Sequence, residues 1–289
     1  MVLQQVALVS QTPSVPLSEV VKVAAALQKQ ATRDFAPIWE VSATVDSFAK
    51  LEDVPLGYWP VVVRDDVTTN FSAAGIHLDE NGQPFALVQA SDDWALTSSH
   101  EVLEMLADPF GERVIAGKPP KQGGKKAADM KRVEYLIEVC DPSEAEDFSY
   151  TVNDVTVSDF YTPQFFDPVA ASGVRYSFTG AITKPRTVLR GGYISFHNTV
   201  NDHWYQIQWF NTANPVLADL GVFAESSMST REWIDRQTTI SPLMKKVGKT
   251  VVKRGDLFAS IAKAAGTPRA ASGRAKAIES KIAKLLKYR

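Results

Sequence analysis

The sequence predicts an α+β protein in which several strands and two helices precede a β-rich second subdomain and a basic helical tail. Apolar runs of strand length alternate with two amphipathic helical patterns in the first part of the chain. Short, aromatic-rich β-like runs fill residues 150–210, and the chain becomes rich in Lys and Ala after Pro242. These shifts place the subdomain boundaries at 1–110, 111–242 and 243–289.

The first subdomain contains strand patterns and two helical patterns. An apolar face at helical spacing begins at Leu17 and predicts a backing helix that ends before Pro37. A second helix is predicted over residues 94–107. Because proline cannot donate to a ladder, Pro84 indicates that the strand Phe85–Gln89 lies at a sheet edge. The β-rich runs are residues 3–9, 39–48 and 58–64, and a hairpin that joins 75–78 to 85–89.

The composition is that of an ordinary globular protein, with 289 residues of which 45% are hydrophobic and 22% charged. No run approaches the roughly 20 consecutive apolar residues of a membrane-spanning helix. The single cysteine, Cys140, excludes an intrachain disulfide. The amino-terminal residues show no basic leader and no cleavage pattern, so we expect a cytoplasmic protein, or one exported without a classical signal peptide.

The tail differs in charge from the rest of the chain. Residues 245–289 contain thirteen Lys/Arg and two acidic residues, a balance of +11, whereas the remaining residues have a balance of −13. Amphipathic helices are predicted at 255–265 and 272–287. Such a tail suits an anionic partner, which can be nucleic acid, an acidic membrane surface or a protein, including the acidic body of this chain. Docking to a protein partner is the favoured interpretation.

The segment Ser99–Pro109, SHEVLEMLADP, contains the clearest chemical pattern. On a helix, His100 and Glu104 lie on one face and can reach one metal ion. Glu101 lies about 100° around the helix, where it can act as general base toward a water held by the metal. A solvated polar face is the simpler alternative. We favour the metal site because the polar strip is one-sided on a helix that otherwise looks buried.

A catalytic zinc site needs a third protein ligand. Residues 132–140 are predicted to form a strand. Glu138 within it is the first candidate, because a carboxylate inside an apolar strand is costly unless it is paired or bound to metal. Asp141 is the alternate and Asp108 a third possibility. On a regular strand Glu138 and Asp141 face opposite sides, so both can bind one ion only if the strand ends between them. A carboxylate-rich ligand set also admits Mn²⁺ or Ca²⁺ in place of zinc.

The fuller pattern S-H-E-x-x-E-x-x-x-D-P, with E-V-C-D-P at 138–142, resembles the zincin metallopeptidases. It also resembles a group of bacterial and phage proteins with a variant H-E-x-x-E motif, over about residues 1–240. The resemblance implies a zincin-like fold, with a twisted mixed sheet, a backing helix, an edge strand that binds extended substrate, and an active-site helix. It also implies that His100 is the first metal ligand, Glu101 the general base and Glu104 the second ligand. Glu104 replaces the second histidine of the usual motif, so peptidase activity is an expectation from a related motif.

Together these patterns predict a metal-dependent hydrolase of peptide or protein substrates, with zinc as the expected ion and the substrate aligned along Phe85–Gln89. The alternative is a non-catalytic, metal-stabilised structural or binding protein, associated with a phage or an envelope, that acts through its basic tail. Two further side chains have expected places. His77 is expected to face solvent from its strand, and Tyr161 to join an aromatic core cluster.

Overall fold

The computed structural model describes residues 3–67, 74–80, 82–224 and 228–238. It confirms a mixed α+β protein, with several sheets and few helices. The predicted tail helices at 255–265 and 272–287 lie outside the described residues.

The helices are α1 (Leu17–Lys29), α2 (Ala36–Trp39), α3 (Trp94–Ala107), α4 (Gly124–Ala128) and α5 (Thr230–Gln237). The strands are β1 (Leu3–Ser10), β2 (Ser42–Phe48), β3 (Trp59–Arg64), β4 (Gly75–Glu80), β5 (Gln83–Gln89), β6 (Val114–Gly117), β7 (Val133–Leu136), β8 (Tyr150–Val152), β9 (Val155–Val157), β10 (Tyr193–Asn198), β11 (His203–Gln208) and β12 (Val216–Gly221).

The first sheet has the order β2-β1-β3-β5-β4, with β4 antiparallel to its neighbour and the other pairs parallel. The prediction that Phe85–Gln89 lies at an edge is therefore wrong, because β5 pairs with β3 on one side and β4 on the other. Pro84 lies opposite Asp79 of β4, whereas pairing with β3 begins only at Ala86. The missing N–H thus removes no bond to β3, and the edge strand is β4.

The backing helix α1 packs its apolar face against β1 and β2, but it does not end before Pro37. The chain continues as a π-helical turn over Gln30–Phe35 and then as α2, where Pro37 occupies the first turn and its missing N–H is tolerated. The strand predicted from residue 39 accordingly begins only at Ser42. The π-helical turn is useful for packing, because the Gln30 side chain accepts a hydrogen bond from Ser99 of α3.

Helix α3 has the bounds that the sequence predicts, and it is buried on nearly every side. It packs against β5 and β4 of the first sheet and against the small β8-β9 hairpin. The second sheet, β12-β11-β10-β7-β6, is antiparallel throughout. One hydrophobic core includes buried residues of both sheets, from Val6 of β1 to Ile207 of β11. As a result α3 and its polar side chains lie inside the protein.

Two differences in the second half determine the site. The strand predicted over 132–140 ends at Leu136, so Glu138 and Asp141 both lie beyond it. Helix α5, which the sequence did not predict, packs Trp233 and Ile234 against Leu136. None of the helices among the described residues has the length and apolar character needed to cross a membrane.

Candidate metal centre

Helix α3 supplies His100, Glu101 and Glu104 to one buried cluster. His100 Nε2 lies 3.3 Å from Glu104 Oε1, as expected for residues four apart on one helix face. The Glu104 side chain is fully buried, Glu101 is nearly so, and the His100 side chain is 13% exposed. A solvated polar face, the simpler alternative, does not describe these residues.

The chain that follows β7 forms the opposite wall. Asp141 Oδ1 lies 3.0 Å from His100 Nε2, and the backbone N–H of Cys140 donates to Glu104 Oε1. A close approach of the backbone at Gly192 fixes this wall, because a Cβ there would collide with the Asp141 carbonyl oxygen. Glu138 is also fully buried, and its backbone N–H donates to the Tyr161 hydroxyl. The early end of β7 thus brings both predicted carboxylates to the same site.

Arg231 of α5 lies among these carboxylates and was not anticipated from the sequence. Its Nη1 is 2.8 Å from Glu104 Oε2, 3.0 Å from Glu138 Oε1 and 3.7 Å from Asp141 Oδ2. Its Nε lies 3.1 Å from both carboxylate oxygens of Asp235. Because Arg231 is 127 positions from Glu104 in the chain, no local spacing could have indicated the contact.

His77 of β4 is the second residue that sequence reasoning misplaced. It was expected to face solvent, but it is buried, with Nδ1 3.6 Å from Glu101 Oε2 and 3.7 Å from Glu104 Oε2. The alternation along β4 explains this, since Ile76 and Leu78 enter a core on the other face of the sheet and His77 therefore faces α3. That alternation is visible in the sequence and could have identified His77.

Two further residues singled out from the sequence, Asp108 and Tyr161, make contacts that stabilise the fold. Asp108 accepts a hydrogen bond from the backbone N–H of Arg113 and lies outside the candidate ligand groups among the described residues. Tyr161 is buried and stacks on Phe165, so it belongs to an aromatic cluster as expected.

The cluster is strongly acidic. Five carboxylates contact His77, His100 or Arg231, and we call them the acidic cluster: Glu101, Glu104, Glu138, Asp141 and Asp235. Both oxygens of Glu138 and of Asp141 make no hydrogen bond of good geometry, although they form ion pairs. Buried carboxylates in this state are costly without further cations.

The shifts in pKa reflect the burial of these carboxylates close to one another. Burial raises the pKa of Glu104, but His100 and Arg231 more than offset it and hold the pKa well below its usual range. Burial raises the pKa of Asp141, and the neighbouring Glu104 carboxylate raises it too. Burial also raises the pKa of Glu138 well above its usual value, although Arg231 opposes this shift. Burial lowers the pKa of His100, but Glu104 and Asp141 more than offset this effect and raise the pKa to well above its usual value. Protons therefore occupy part of this cluster when no other cation is bound.

Three overlapping groups of side chains have ligand atoms within 4.8 Å of one another. They are His100–Glu104–Cys140, His77–Glu101–Glu104 and His100–Asp141–Glu144. Imidazole, carboxylate and thiolate are the usual ligands of zinc and related ions. The described residues are therefore close enough to hold a metal ion, and the carboxylate oxygens of Asp141, which have no hydrogen bond, fit that role.

No protein-family model, curated protein or solved structure matches this chain significantly. The chemistry of the cluster therefore has to be argued from its own geometry.

Proposed function

We propose that the protein is a metal-dependent hydrolase of the zincin type that cleaves peptide bonds. The observation on which the proposal rests is the position of His100 Nε2, 3.3 Å from Glu104 Oε1 and 3.0 Å from Asp141 Oδ1. Two ligands of a tetrahedral zinc ion lie roughly 3.4 Å apart when each bond is about 2.1 Å. We therefore propose His100 as a ligand, with Glu104 and Asp141 as the carboxylates on either side of its Nε2, each in a separate group of candidate ligands. Glu138, the first candidate from the sequence, lies beside Arg231 instead.

A divalent ion at this position supplies a Lewis acid and lowers the pKa of a water that it binds. With an ion bound, Glu101 would act as general base and accept a proton on its carboxylate. Arg231 holds Glu104 and Glu138, and so keeps the ligand carboxylate oriented toward His100.

The edge strand β4 is the proposed place for an extended substrate. It is one of the two outermost strands of the first sheet, it contacts α3, and its Gly75 lies directly against the carboxylate of Glu101. A peptide that adds to β4 by strand pairing would run beside the general base. This arrangement of backing helix, twisted sheet, edge strand and buried helix supports the zincin-like assignment.

Metal content tests the site. Untagged protein, supplemented with Zn²⁺ or Mn²⁺ and then dialysed, is analysed by inductively coupled plasma mass spectrometry, with His100→Ala and Asp141→Asn. We expect each variant to lose an ion that the unmodified chain retains. His203→Ala is the matched control, because His203 pairs with Asp219 at the surface and should leave the metal content unchanged. Absence of any ion in the supplemented wild type would refute the proposal.

Activity is tested with a peptide library and Glu101→Gln. The substitution removes the proton acceptor but keeps the size of the side chain, so turnover should fall by roughly 10²–10⁴-fold. Circular dichroism of the variant should remain unchanged. Hydrolysis that survives in Glu101→Gln at wild-type rate would exclude Glu101 as the base.

The second candidate is a non-catalytic, metal-stabilised structural or binding protein. The observation in its favour is the burial of Glu104, Glu138 and Asp141 around Arg231, because such an ion network joins α3, the 138–141 segment and α5 without any turnover. The basic tail would then provide the attachment to an anionic partner. Bound metal together with no cleavage of any library peptide would favour this candidate.

A further inference from the structure

The two ring nitrogens of His77 differ: Nε2 has a backbone hydrogen-bond partner, whereas Nδ1 has no hydrogen bond. Its Nε2 lies 3.2 Å from the backbone carbonyl oxygen of Asp108, and His77 is only 2% exposed. A carbonyl oxygen can only accept a hydrogen bond, so Nε2 must hold the hydrogen. In the neutral ring, Nδ1 is then an acceptor with a lone pair. A ring nitrogen held in this way by a backbone carbonyl is typical of metal-binding histidines.

The lone pair of Nδ1 faces two carboxylates. Glu101 Oε2 is 3.6 Å away and Glu104 Oε2 is 3.7 Å away, and both His77 Nδ1 and Glu101 Oε2 lack a hydrogen bond. These distances are too long for N–H···O hydrogen bonds. They are close to the roughly 3.3–3.6 Å between two ligands of one tetrahedral ion with bonds of about 2.0–2.2 Å.

We propose that His77, Glu101 and Glu104 form a second divalent-cation site, which binds Zn²⁺. Glu104 is shared between the two sites, since its Oε1 faces His100 and its Oε2 faces His77. Oε2 also accepts from Arg231, which is compatible because a carboxylate oxygen has two lone pairs. One imidazole and two carboxylates are a suitable ligand set for this ion.

The charge balance supports two ions. The acidic cluster contains five carboxylates and Arg231 contributes one positive charge, which leaves four negative charges when all five carboxylates are ionised and both histidines are neutral. Two divalent cations would neutralise this fully ionised state.

The second ion has a consequence that depends on the proposed function. Because Glu101 becomes a ligand when this site is filled, it can no longer accept a proton as general base. Occupancy of the second site therefore inhibits hydrolysis as the Zn²⁺ concentration rises, whereas the cation binding itself requires no activity.

The test is the stoichiometry of Zn²⁺ binding to the full chain, measured by isothermal titration calorimetry and native mass spectrometry. We expect about two ions for the wild type, about one for His77→Ala and about one for His100→Ala. His203→Ala is the control and should bind as the wild type does. His77→Gln serves as a second variant if His77→Ala folds poorly, as judged by circular dichroism.

The outcomes separate this inference from the proposed function. If the wild type binds one ion, lost in His100→Ala and kept in His77→Ala, the second site is refuted and the first remains. If His77→Ala loses an ion but His100→Ala does not, the second site stands and the first is refuted. For an active protein, inhibition by excess Zn²⁺ should disappear in His77→Gln, and persistence of that inhibition would contradict the role given to His77.

Discussion

Replacement of Arg231 by Met tests whether the guanidinium compensates the acidic cluster. Arg231 lies 2.8 Å from Glu104, 3.0 Å from Glu138 and 3.1 Å from Asp235, and its side chain is 6% exposed. At an effective dielectric constant near 20, each close pair contributes attraction on the order of 4 kcal/mol before the cost of desolvation is subtracted. Removal of one partner of a buried ion pair usually costs about 3–5 kcal/mol. We therefore expect the free energy of unfolding of metal-free Arg231→Met to fall by that amount.

Denaturant unfolding, followed by circular dichroism after chelation of metals, measures this difference. Arg236→Met is the matched control, because Arg236 is on the same helix and pairs with Glu232, but its side chain is 34% exposed, so solvent screens the pair and a smaller loss is expected. Addition of Zn²⁺ at 100 times its dissociation constant should restore about 2.7 kcal/mol to Arg231→Met. If the metal-free Arg231 variant is no less stable than the Arg236 variant, the guanidinium does not compensate these carboxylates.

Three further predictions concern the edge strand, a titrating carboxyl and a helix cap. In Gly75→Ala the new Cβ would lie 2.5 Å from Glu101 Oε1, so peptide turnover should fall on the order of 10²-fold, and unchanged turnover would contradict the placement of β4 beside the base. Burial raises the pKa of Asp235 to about 6 although Arg231 opposes it, so the folded state holds this proton more tightly than the unfolded chain does. The stability that this group contributes is present at low pH and is lost as the pH rises from about 4 to 6, by on the order of 3 kcal/mol, and unfolding of Asp235→Asn should lack this dependence. Ser229→Ala removes the side-chain cap of α5 and should cost about 1 kcal/mol in thermal unfolding, and a loss near zero would show that the cap is dispensable.

Local periodicity predicted the elements that depend on it. Helix α3 has the bounds 94–107 because its apolar spacing is regular and Asp108-Pro109 follows directly. The hairpin of β4 and β5 was also predicted, because two apolar runs flank a turn sequence. The relation of His100 to Glu104 follows from the helix alone, and the structure places these atoms 3.3 Å apart.

The remaining features depend on partners that are distant in the chain. Pro84 indicated an edge, yet whether a strand is at an edge is decided by its neighbours, and β4 covers β5 on that side. Pro37 indicated a helix end, but the π-helical turn lets the proline begin a new turn. Arg231 could not be placed at all, because its contacts cross 127 positions.

The acidic cluster also explains why cations determine how the chain segments dock. Helix α3, the segment 138–141 and α5 approach one another through carboxylates, which repel unless positive charge lies between them. In the absence of metal that charge is Arg231 together with protons, since the pKa of His100 and of Glu138 is well above the usual value. A metal ligand has to be deprotonated, so ion binding at His100 must displace its proton. When an ion binds as proposed, the same three segments would be held by metal and Arg231 in place of protons and Arg231, and the affinity for that ion should fall as the pH is lowered.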